Sequence, residues 1–416
     1  MRILFLNDDY PPRGNSSVST IVVNLARELE AQGHEIHIVT THRTEERSWI
    51  ERNGNVVSLP VSYRISLRHW FSLRNPRVSR MVKEEMKRIR PDVVHAHNIH
   101  TYLTYDALRI ARKFTPRVFL TTHDVMSFAY GRLKTDRYLA SLGKDVTVTM
   151  GDNIRTIGLQ WNPLRNFLIR RTLRRYVTKV CAVSDALKRA LEANGIGNVT
   201  VVPNGIDLGA WTSDAAAQER LRNEWGLHKR KVILFGGRLS VDKGVVPLLH
   251  ALDRLRTAVP SVLLLVVGDQ KRWDGLARQA GFGNDLSGHW RCTGWLPHSL
   301  PAGRQAQMPD AYGVADVVAV PSLCLDCFPS MNLEAMAARK PIVGTIFGGT
   351  PEMVEHGMTG LVCDPRDTAT FAESLQTLLE NDELARAMGE AGRRRVEKEF
   401  TVALQAQRYL KMYMTD

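Results

Sequence analysis

Short apolar runs recur along this chain of 416 residues, and stretches with helical periodicity separate them. Ile3–Leu6, Val118–Thr122, Val232–Phe235 and Val317–Val320 are examples. A strand that is apolar throughout is buried on both faces, which is typical of a parallel sheet covered by helices. Alternation of such strands with helices therefore predicts an α/β fold with doubly wound parallel sheets.

Other segments have the same character, and local signals predict where some helices begin. A helix is expected near Ser17–Gln32, and another begins at Asn75-Pro76, because Asn is a preferred N-cap and Pro a preferred first helical residue. The remaining expected strands are Ile36–Thr40, Val93–His97, Val180–Val183, Val199–Val202, Leu263–Val267, Ile342–Gly344 and Gly360–Val362.

The length of the chain favours two domains of roughly 200 residues each, since a single hydrophobic core rarely grows that large. The apolar runs form two series that meet in the turn-rich segment Val202–Asp207. We therefore expect an N-terminal domain over residues 1–202 and a C-terminal domain over residues 203–399. Doubly wound sheets bind ligands at the carboxyl ends of their strands, which predicts two Rossmann-like domains facing a central cleft.

Positive charge is concentrated in the first half of the chain. Residues 1–205 contain 32 Lys and Arg against 18 Asp and Glu, whereas residues 206–416 contain 24 against 25. Two basic stretches, Tyr63–Arg74 and Leu164–Tyr176, combine arginines with apolar side chains. An anionic membrane surface, a phosphate-bearing acceptor or a solvated surface would each explain this charge. Nucleic acid is the least favoured partner, because no recognition motif accompanies the charge.

The cysteines and the N-terminus predict a cytoplasmic protein without disulfides, and its charge leaves peripheral association with the inner face of a membrane as an open alternative. Five cysteines are scattered along the chain, and Cys324-x-x-Cys327 has no second pair that would complete a zinc site. We interpret this pair as two small residues in a tight loop, with metal or redox chemistry as the alternative. No apolar run approaches the roughly 18 residues that span a bilayer, and acidic residues follow the first apolar run at once.

Two segments of the second half carry the chemistry. Residues 321–337 form a loop that leads into a helix and place carboxylates at Asp326 and Glu334. The glycine-rich turn over residues 236–244 presents Arg238 and Lys243. A helix N-terminus offers unpaired N–H groups to a phosphate, Arg and Lys neutralise it, and carboxylates accept hydrogen bonds from hydroxyls. These are the groups needed to hold a sugar nucleotide.

These motifs resemble the retaining GT-B glycosyltransferases of family four. The E-x7-E pattern of that family stands here as Asp326 and Glu334, and its R-x4-K pair as Arg238 and Lys243. The Pro-Asn-Gly-Ile-Asp linker and the motif over residues 348–352 follow in the same order. The resemblance covers almost the whole chain and implies that a C-terminal helix over about residues 400–416 crosses back to the first domain.

The resemblance also implies roles for individual residues. Arg238 and Lys243 would neutralise the leaving diphosphate, Asp326 would contact the transferred sugar, and His123 would lie beside that sugar. The family's glutamate is replaced by Asp326, which has a shorter reach. The residues expected to bind the donor are Gly14, Asn15, Gly237, Trp295, Leu296, Phe328, Ser330, Met331, Asn332 and Glu334.

The implied function is retaining transfer of a sugar from a UDP- or GDP-sugar to an acceptor hydroxyl. The expected acceptor is a glycan precursor that is lipid-linked or anionic, bound by the N-terminal domain. No cofactor and no divalent metal is expected, because no Asp-x-Asp pair lies on a suitable loop. An epimerase or phosphorylase of the same fold and a non-catalytic sugar-nucleotide-binding protein remain open alternatives. The departures from the family's pattern at Asn15, Asp326 and Pro329 leave the non-catalytic alternative open.

Overall fold

The computed structural model describes residues 1–14, 16–282, 284–296 and 307–415. The chain forms two compact units. Unit 1 comprises Met1–Tyr138, Lys144–Gly205 and Val402–Asp416, and unit 2 comprises Leu139–Gly143 and Ile206–Thr401. The sequence predicted a domain boundary after residue 202; in the structure, unit 1 is followed by unit 2 between Gly205 and Ile206.

An eight-stranded sheet, in the order β3-β4-β2-β1-β5-β6-β7-β8, forms the centre of unit 1. All neighbouring strands are parallel except β3 and β4, which form an antiparallel pair. The strands are β1 Arg2–Leu6, β2 Glu35–Arg43, β3 Glu51–Asn53, β4 Val56–Val61, β5 Val93–Ala96, β6 Val118–Thr122, β7 Lys179–Ala182 and β8 Val199–Val201.

Helices that precede residue 205 cover this sheet or connect its strands. Helix α3 begins as its sequence predicts, with the Asn75 side chain accepting from the Val78 N–H and Pro76 in the first turn. The helices are α1 Ser17–Ala31, α2 Arg68–Phe71, α3 Pro76–Ile89, α4 Asp106–Ala111, α5 Asp136–Ala140, α6 Met150–Ile157, α7 Arg165–Tyr176 and α8 Asp185–Ala193.

A six-stranded parallel sheet, in the order β11-β10-β9-β12-β13-β14, forms the centre of unit 2. Its strands are β9 Lys231–Gly236, β10 Val262–Val267, β11 Trp290–Gly294, β12 Val317–Val320, β13 Ile342–Thr345 and β14 Gly360–Cys363. Its helices are α9 Ala215–Glu224, α10 Val245–Ala258, α11 Gln270–Gln279, α12 Met308–Val314, α13 Ser330–Ala337, α14 Thr350–Met353, α15 Thr368–Glu380 and α16 Asp382–Glu399.

The last helix, α17 Val402–Thr415, packs within unit 1. Its side chains Tyr409 and Tyr413 are fully buried in a cluster that also contains Val22 and Leu25 of α1. The side chain of Gln405 accepts a hydrogen bond of 3.0 Å from the Gly205 N–H. This helix therefore supplies part of the core of the unit in which the chain begins.

Three strands were not predicted, and the helix α7 buries an arginine while exposing a phenylalanine. The polar sequence of β3, the short apolar sequence of β4 beside it, and the mixed sequence of β11 gave no strand pattern. On α7, Phe167 is exposed, whereas Arg165 is fully buried. The Arg165 guanidinium stacks on the Tyr130 ring at 4.7 Å and donates to the Ala129 carbonyl oxygen.

No helix in the described part of the chain combines the length and the apolar character that crossing a membrane requires.

Candidate functional site

The predicted donor residues follow two strands that lie side by side in unit 2. β9 and β12 are neighbours at the centre of the sheet, where the strand order reverses. Arg238 and Lys243 follow β9, and Asp326 and Glu334 follow β12. Ligands of open parallel sheets bind at the carboxyl ends of strands at such a reversal. The topology therefore brings both motifs to one edge of one sheet.

Direct contacts hold the two loops together. Gly244, at the end of the turn after β9, has a φ of +79°, and a Cβ at this position would lie 1.9 Å from the Pro321 carbonyl oxygen. Only glycine permits this approach of two backbones. The Leu323 N–H donates to the Asp242 carbonyl oxygen at 2.8 Å. The position of Lys243 is thereby fixed relative to the loop that carries Asp326.

Asp326 is held by its side chain and by its backbone. Its Oδ2 forms an ion pair with the Lys243 ammonium and accepts from the Ser322 hydroxyl at 2.9 Å. Its carbonyl oxygen accepts from the Gly349 N–H at 2.8 Å, and Gly348, with a φ of +68°, passes so close that a Cβ would clash with Asp326. This carboxylate therefore contacts the cation that was predicted to neutralise the diphosphate.

Glu334 is a buried residue of α13, only 5% exposed. One of its oxygens, Oε2, accepts a hydrogen bond of 2.7 Å from the Tyr312 hydroxyl of α12. Burial, reinforced by the charge of Glu334, holds the pKa of Tyr312 well above its ordinary value, so the phenol remains a donor. Sequence reasoning missed Tyr312, because nothing in the pattern of α12 points to a residue of α13.

The first turn of α13 has no side-chain cap. Pro329 occupies the N-cap position with a φ of −60°, and Ser330 and Met331 follow at the start of the helix. Asn332 is fully buried; its Nδ2 donates to the Thr350 hydroxyl at 3.2 Å, while its Oδ1 has no hydrogen-bond partner among the described residues. Uncapped N–H groups and the helix dipole favour an anion at this end of α13.

The other predicted donor residues of unit 2 differ in their exposure to solvent. Arg238 is exposed, and Gly237 before it has a φ of +91°. Trp295 is 72% exposed, and Leu296 is half-buried against the core. Phe328 is also half-buried and meets Phe400 edge-on, with ring centroids 5.7 Å apart.

One predicted residue, Gly14, lies in the loop after β1 in unit 1. A Cβ on Gly14 would lie 2.6 Å from the Asp9 Cβ, so this close turn requires glycine. Asn15 lies outside the described residues. The neighbouring Asp8, which sequence reasoning missed, is buried and accepts backbone N–H bonds from Thr101, Tyr102 and Leu103 at 2.7 to 3.0 Å. Its burial raises the pKa of its carboxyl, while those bonds and His100 oppose the rise.

His123 belongs to a row of three histidines at the carboxyl ends of β5 and β6. Its Nε2 lies 3.0 Å from Nδ1 of His97, and the two rings are stacked with centroids 5.3 Å apart. His95 stacks on the other side of His97 at 4.4 Å. Neither Nε2 of His97 nor Nδ1 of His123 has a hydrogen-bond partner among the described residues.

Hydrogen bonds anchor this row to α17, and burial keeps it uncharged. Nδ1 of His95 lies 2.5 Å from the Tyr413 hydroxyl, and its Nε2 lies 2.7 Å from the Thr121 hydroxyl. Burial lowers the pKa of His95 to about 3 and that of His123 to about 4. Burial also lowers the pKa of His97 well below its ordinary value. At neutral pH these imidazoles donate or accept hydrogen bonds without carrying charge.

The sequence of the chain matches the models of two protein families. The model of the glycosyl transferases group 1 matches residues 217–395, and the model of glycosyltransferase family 4 matches residues 18–210. The chain belongs to the group 1 glycosyltransferases. The two matched ranges leave only short segments of the described chain uncovered, and the resemblance inferred from the motifs is confirmed at the level of the family.

Relatives in this family differ in how much of the chain they match. The glycogen synthase of Mycobacterium tuberculosis (strain CDC 1551 / Oshkosh) is 24% identical over 421 residues, which is 96% of this chain and 91% of that enzyme. YtcC of Bacillus subtilis (strain 168) is 30% identical over 251 residues, which is 58% of this chain. The match spans 60% of YtcC, less than two thirds of its length.

A solved structure matches the fold over its whole length. The Anabaena protein Alr3699/HepE, crystallised in complex with UDP, has a TM-score of 0.71 and 19% sequence identity and is covered completely, as is this chain. The same protein has been solved with UDP-glucose. The predicted fold class, two Rossmann-like α/β domains of the GT-B type with parallel sheets, is therefore confirmed, with the antiparallel pair β3–β4 as an addition at one edge.

Proposed function

We propose that this chain is a retaining glycosyltransferase that moves a sugar from a nucleoside-diphosphate sugar to an acceptor hydroxyl. The observation that carries the proposal is the grouping, at one edge of the unit 2 sheet, of Glu334, the Lys243–Asp326 pair and the uncapped start of α13. Each has a partner in a sugar nucleotide: Glu334 suits the ribose hydroxyls, Lys243 the diphosphate, and the helix start a phosphate oxygen.

The proposed chemistry needs no general base from the protein. The bond between the anomeric carbon and the diphosphate oxygen breaks, and the acceptor oxygen bonds to the same face of that carbon. The departing phosphate oxygen takes the proton of the acceptor hydroxyl. Arg238 and Lys243 would stabilise the negative charge that develops on the diphosphate, a role that in other enzymes falls to a divalent metal ion. His123 would contact the transferred sugar through a neutral imidazole.

UDP is the first candidate for the nucleotide, because the structurally similar Anabaena protein binds UDP and UDP-glucose; GDP is the alternative. Thermal unfolding with UDP-, GDP-, ADP- and dTDP-sugars tests this. We expect one nucleotide to raise the unfolding temperature, and Glu334→Ala and Arg238→Ala to abolish the increase. Ligand at a hundred times its dissociation constant stabilises a protein by about 2.7 kcal/mol, an effect of several degrees.

Lys398→Met, on an exposed position of α16, serves as the control and should respond to the same nucleotide as the unaltered protein. Failure of every nucleotide to stabilise the protein would contradict the proposal and favour a non-catalytic role. Conversion of a UDP-sugar into its epimer without an acceptor would support the epimerase alternative instead.

We further propose that the acceptor is lipid-linked and that unit 1 contacts an anionic membrane surface. Exposed apolar side chains occur in two neighbouring segments, with Trp70 50% exposed in α2 and Phe167 54% exposed in α7. The Asn162 side chain joins these segments by donating to the His69 carbonyl oxygen at 3.1 Å. Exposed arginines of α7, among them Arg171 and Arg174, add positive charge. Apolar side chains beside cations are typical of surfaces that bind anionic lipids.

Flotation with liposomes tests the membrane proposal. We expect binding to anionic vesicles and little binding to neutral ones. Neutralising Arg171 and Arg174 together by substitution with Gln should weaken binding roughly thirtyfold, since each cation near such a surface contributes about 1 kcal/mol. Trp70→Ser should also weaken it, whereas Trp49→Ser, at a 60% exposed tryptophan outside these segments, should not. Absence of the protein from both kinds of vesicle would exclude the membrane proposal.

A further inference from the structure

Unit 2 contains a pocket of about 780 Å³ beside its edge strand β11. One wall is formed by α11 and the other by the segment that leads into β9. The side chains that determine its character are three arginines and three aromatic rings: Arg230, Arg278, Arg291, Trp225, Phe282 and Trp290. None of them belongs to the residues assigned above to the donor site.

The arginines of the pocket lie towards the amino ends of the strands, whereas its lining also reaches Gln270 at the start of α11, which follows the carboxyl end of β10. Arg230 precedes β9, and Trp290 begins β11, so both lie at the amino ends of their strands. Arg238 and Lys243 follow the carboxyl end of β9. The six residues of β9 separate the two ends by about 20 Å. A ligand held by these arginines would therefore lie well away from Arg238 and Lys243.

The charge of the pocket favours an anion. Among its described lining residues, three arginines stand against one acidic residue, Asp274. Backbone carbonyl oxygens fix two of the guanidinium groups: Arg291 donates to Trp225 at 2.7 Å, and Arg230 donates to Gly288 at 3.1 Å. A guanidinium has five N–H donors, so one such bond orients the group and leaves a planar face that suits a carboxylate or a phosphate.

The aromatic and polar side chains indicate what else the ligand must carry. The Trp290 ring is half-buried and meets the buried Trp273 ring edge-on, with centroids 6.0 Å apart, so it is supported from behind. A rigid indole offers a flat apolar surface on which the C–H face of a sugar ring can pack. Asp274 accepts from the Gln270 amide at 2.7 Å, and this polar pair can bond to hydroxyls.

We propose that this pocket is a second carbohydrate site, which binds a saccharide bearing one or two negative charges. The sugar ring packs on Trp290, its phosphate or carboxylate contacts Arg278 and Arg291, and a hydroxyl contacts Asp274. A neutral sugar would leave the arginines without a negative charge to balance them. A bare anion would leave the indole ring without a sugar ring to pack on it. The inference goes beyond the proposed transfer reaction and does not depend on it.

Nuclear magnetic resonance of the protein with ¹⁵N-labelled tryptophan tests the proposal. The probes are glucose 1-phosphate, glucuronate, glucose and inorganic phosphate, each at millimolar concentrations. We expect the first two to shift the indole signals of Trp225 and Trp290. Arg278→Ala and Arg291→Ala should each weaken that binding at least tenfold, because each removes a charge-assisted hydrogen bond. Arg220→Ala, at an exposed arginine outside the pocket, should leave it unchanged.

Unfolding temperatures equal to that of the unaltered protein will show that the two pocket variants remain folded. Saturating UDP should not displace either charged sugar. The proposal is overturned if no probe shifts the two indole signals, if both arginine variants retain the original affinity, or if UDP displaces the sugars. Inorganic phosphate that binds as tightly as glucose 1-phosphate would also overturn it, since the site would then recognise only an anion.

Discussion

Replacement of Lys243 by Met should lower the turnover of the donor by about 10² to 10³-fold, the loss typical of removing one group that stabilises developing negative charge. Lys243 is positioned by its ion pair with Asp326 and by the contact of Gly244 with Pro321. Met retains much of the length of the side chain but removes the charge. We therefore expect a loss of rate in a protein that still folds.

The rate can be measured as hydrolysis of the donor, in which water replaces the acceptor. Lys243→Arg keeps the charge and should recover part of the activity. Asp326→Asn removes the competing carboxylate but leaves Lys243 charged, so nucleotide binding should persist in that variant. Lys398→Met should hydrolyse the donor at the original rate. A Lys243→Met protein with unchanged turnover would show that the ammonium does not stabilise the leaving group.

Acidification should destabilise unit 1 well above the pH at which carboxylates are protonated. His95 and His123 remain neutral in the folded protein because burial lowers their pKa values to about 3 and about 4. The unfolded chain binds protons at these histidines below a pH of about 6.5. Between these limits the unfolded state holds more protons than the folded state, so the free energy of unfolding falls as pH falls.

Each such histidine contributes a slope of about 1.4 kcal/mol per pH unit, and the three of the row, whose pKa values are all lowered by burial, together contribute roughly 4 kcal/mol per pH unit between about pH 6 and pH 4.5. Urea unfolding followed by circular dichroism at several pH values measures this slope. His95→Gln should reduce it by about 1.4 kcal/mol per pH unit, because one titrating group is removed. His228→Gln, at an exposed histidine of unit 2, should not change it. A stability that is constant over this interval would contradict the buried, neutral state of the row.

Local sequence signals predicted the elements that depend on local physics. The Asn75-Pro76 start of α3, the apolar strands of both sheets and the helix that carries Glu334 needed no information from distant residues. Strand β3 was missed because Glu51-Arg52-Asn53 forms an edge, where polar side chains are common and no apolar pattern arises. β11 lies at an edge of the six-stranded sheet of unit 2, and its mixed sequence likewise gave no apolar pattern.

The contacts of the candidate site could not be predicted from local sequence, because they join residues that are distant along the chain. Glu334 was identified from its motif, but its partner Tyr312 lies 22 residues earlier on another helix. The burial of Arg165 had no signal in the sequence, because the Tyr130 ring and the backbone carbonyl oxygen that allow it lie in another segment of the chain. One signal was available: His95 and His97 are two residues apart at the end of an apolar run, and in extended chain this spacing places both side chains on the same side.

The position of α17 has a consequence for how the molecule is made. A ribosome produces nearly all of unit 1 first and must then complete unit 2 before α17 emerges. Until that moment the surface that Tyr409 and Tyr413 cover stays open to water, and His95 lacks its phenol partner. Because unit 2 is contiguous apart from Leu139–Gly143, it can fold while synthesis continues. The half of the protein that is synthesised first is thus the last to reach its native core, and a nascent chain interrupted before residue 402 would expose that core to chaperones and proteases.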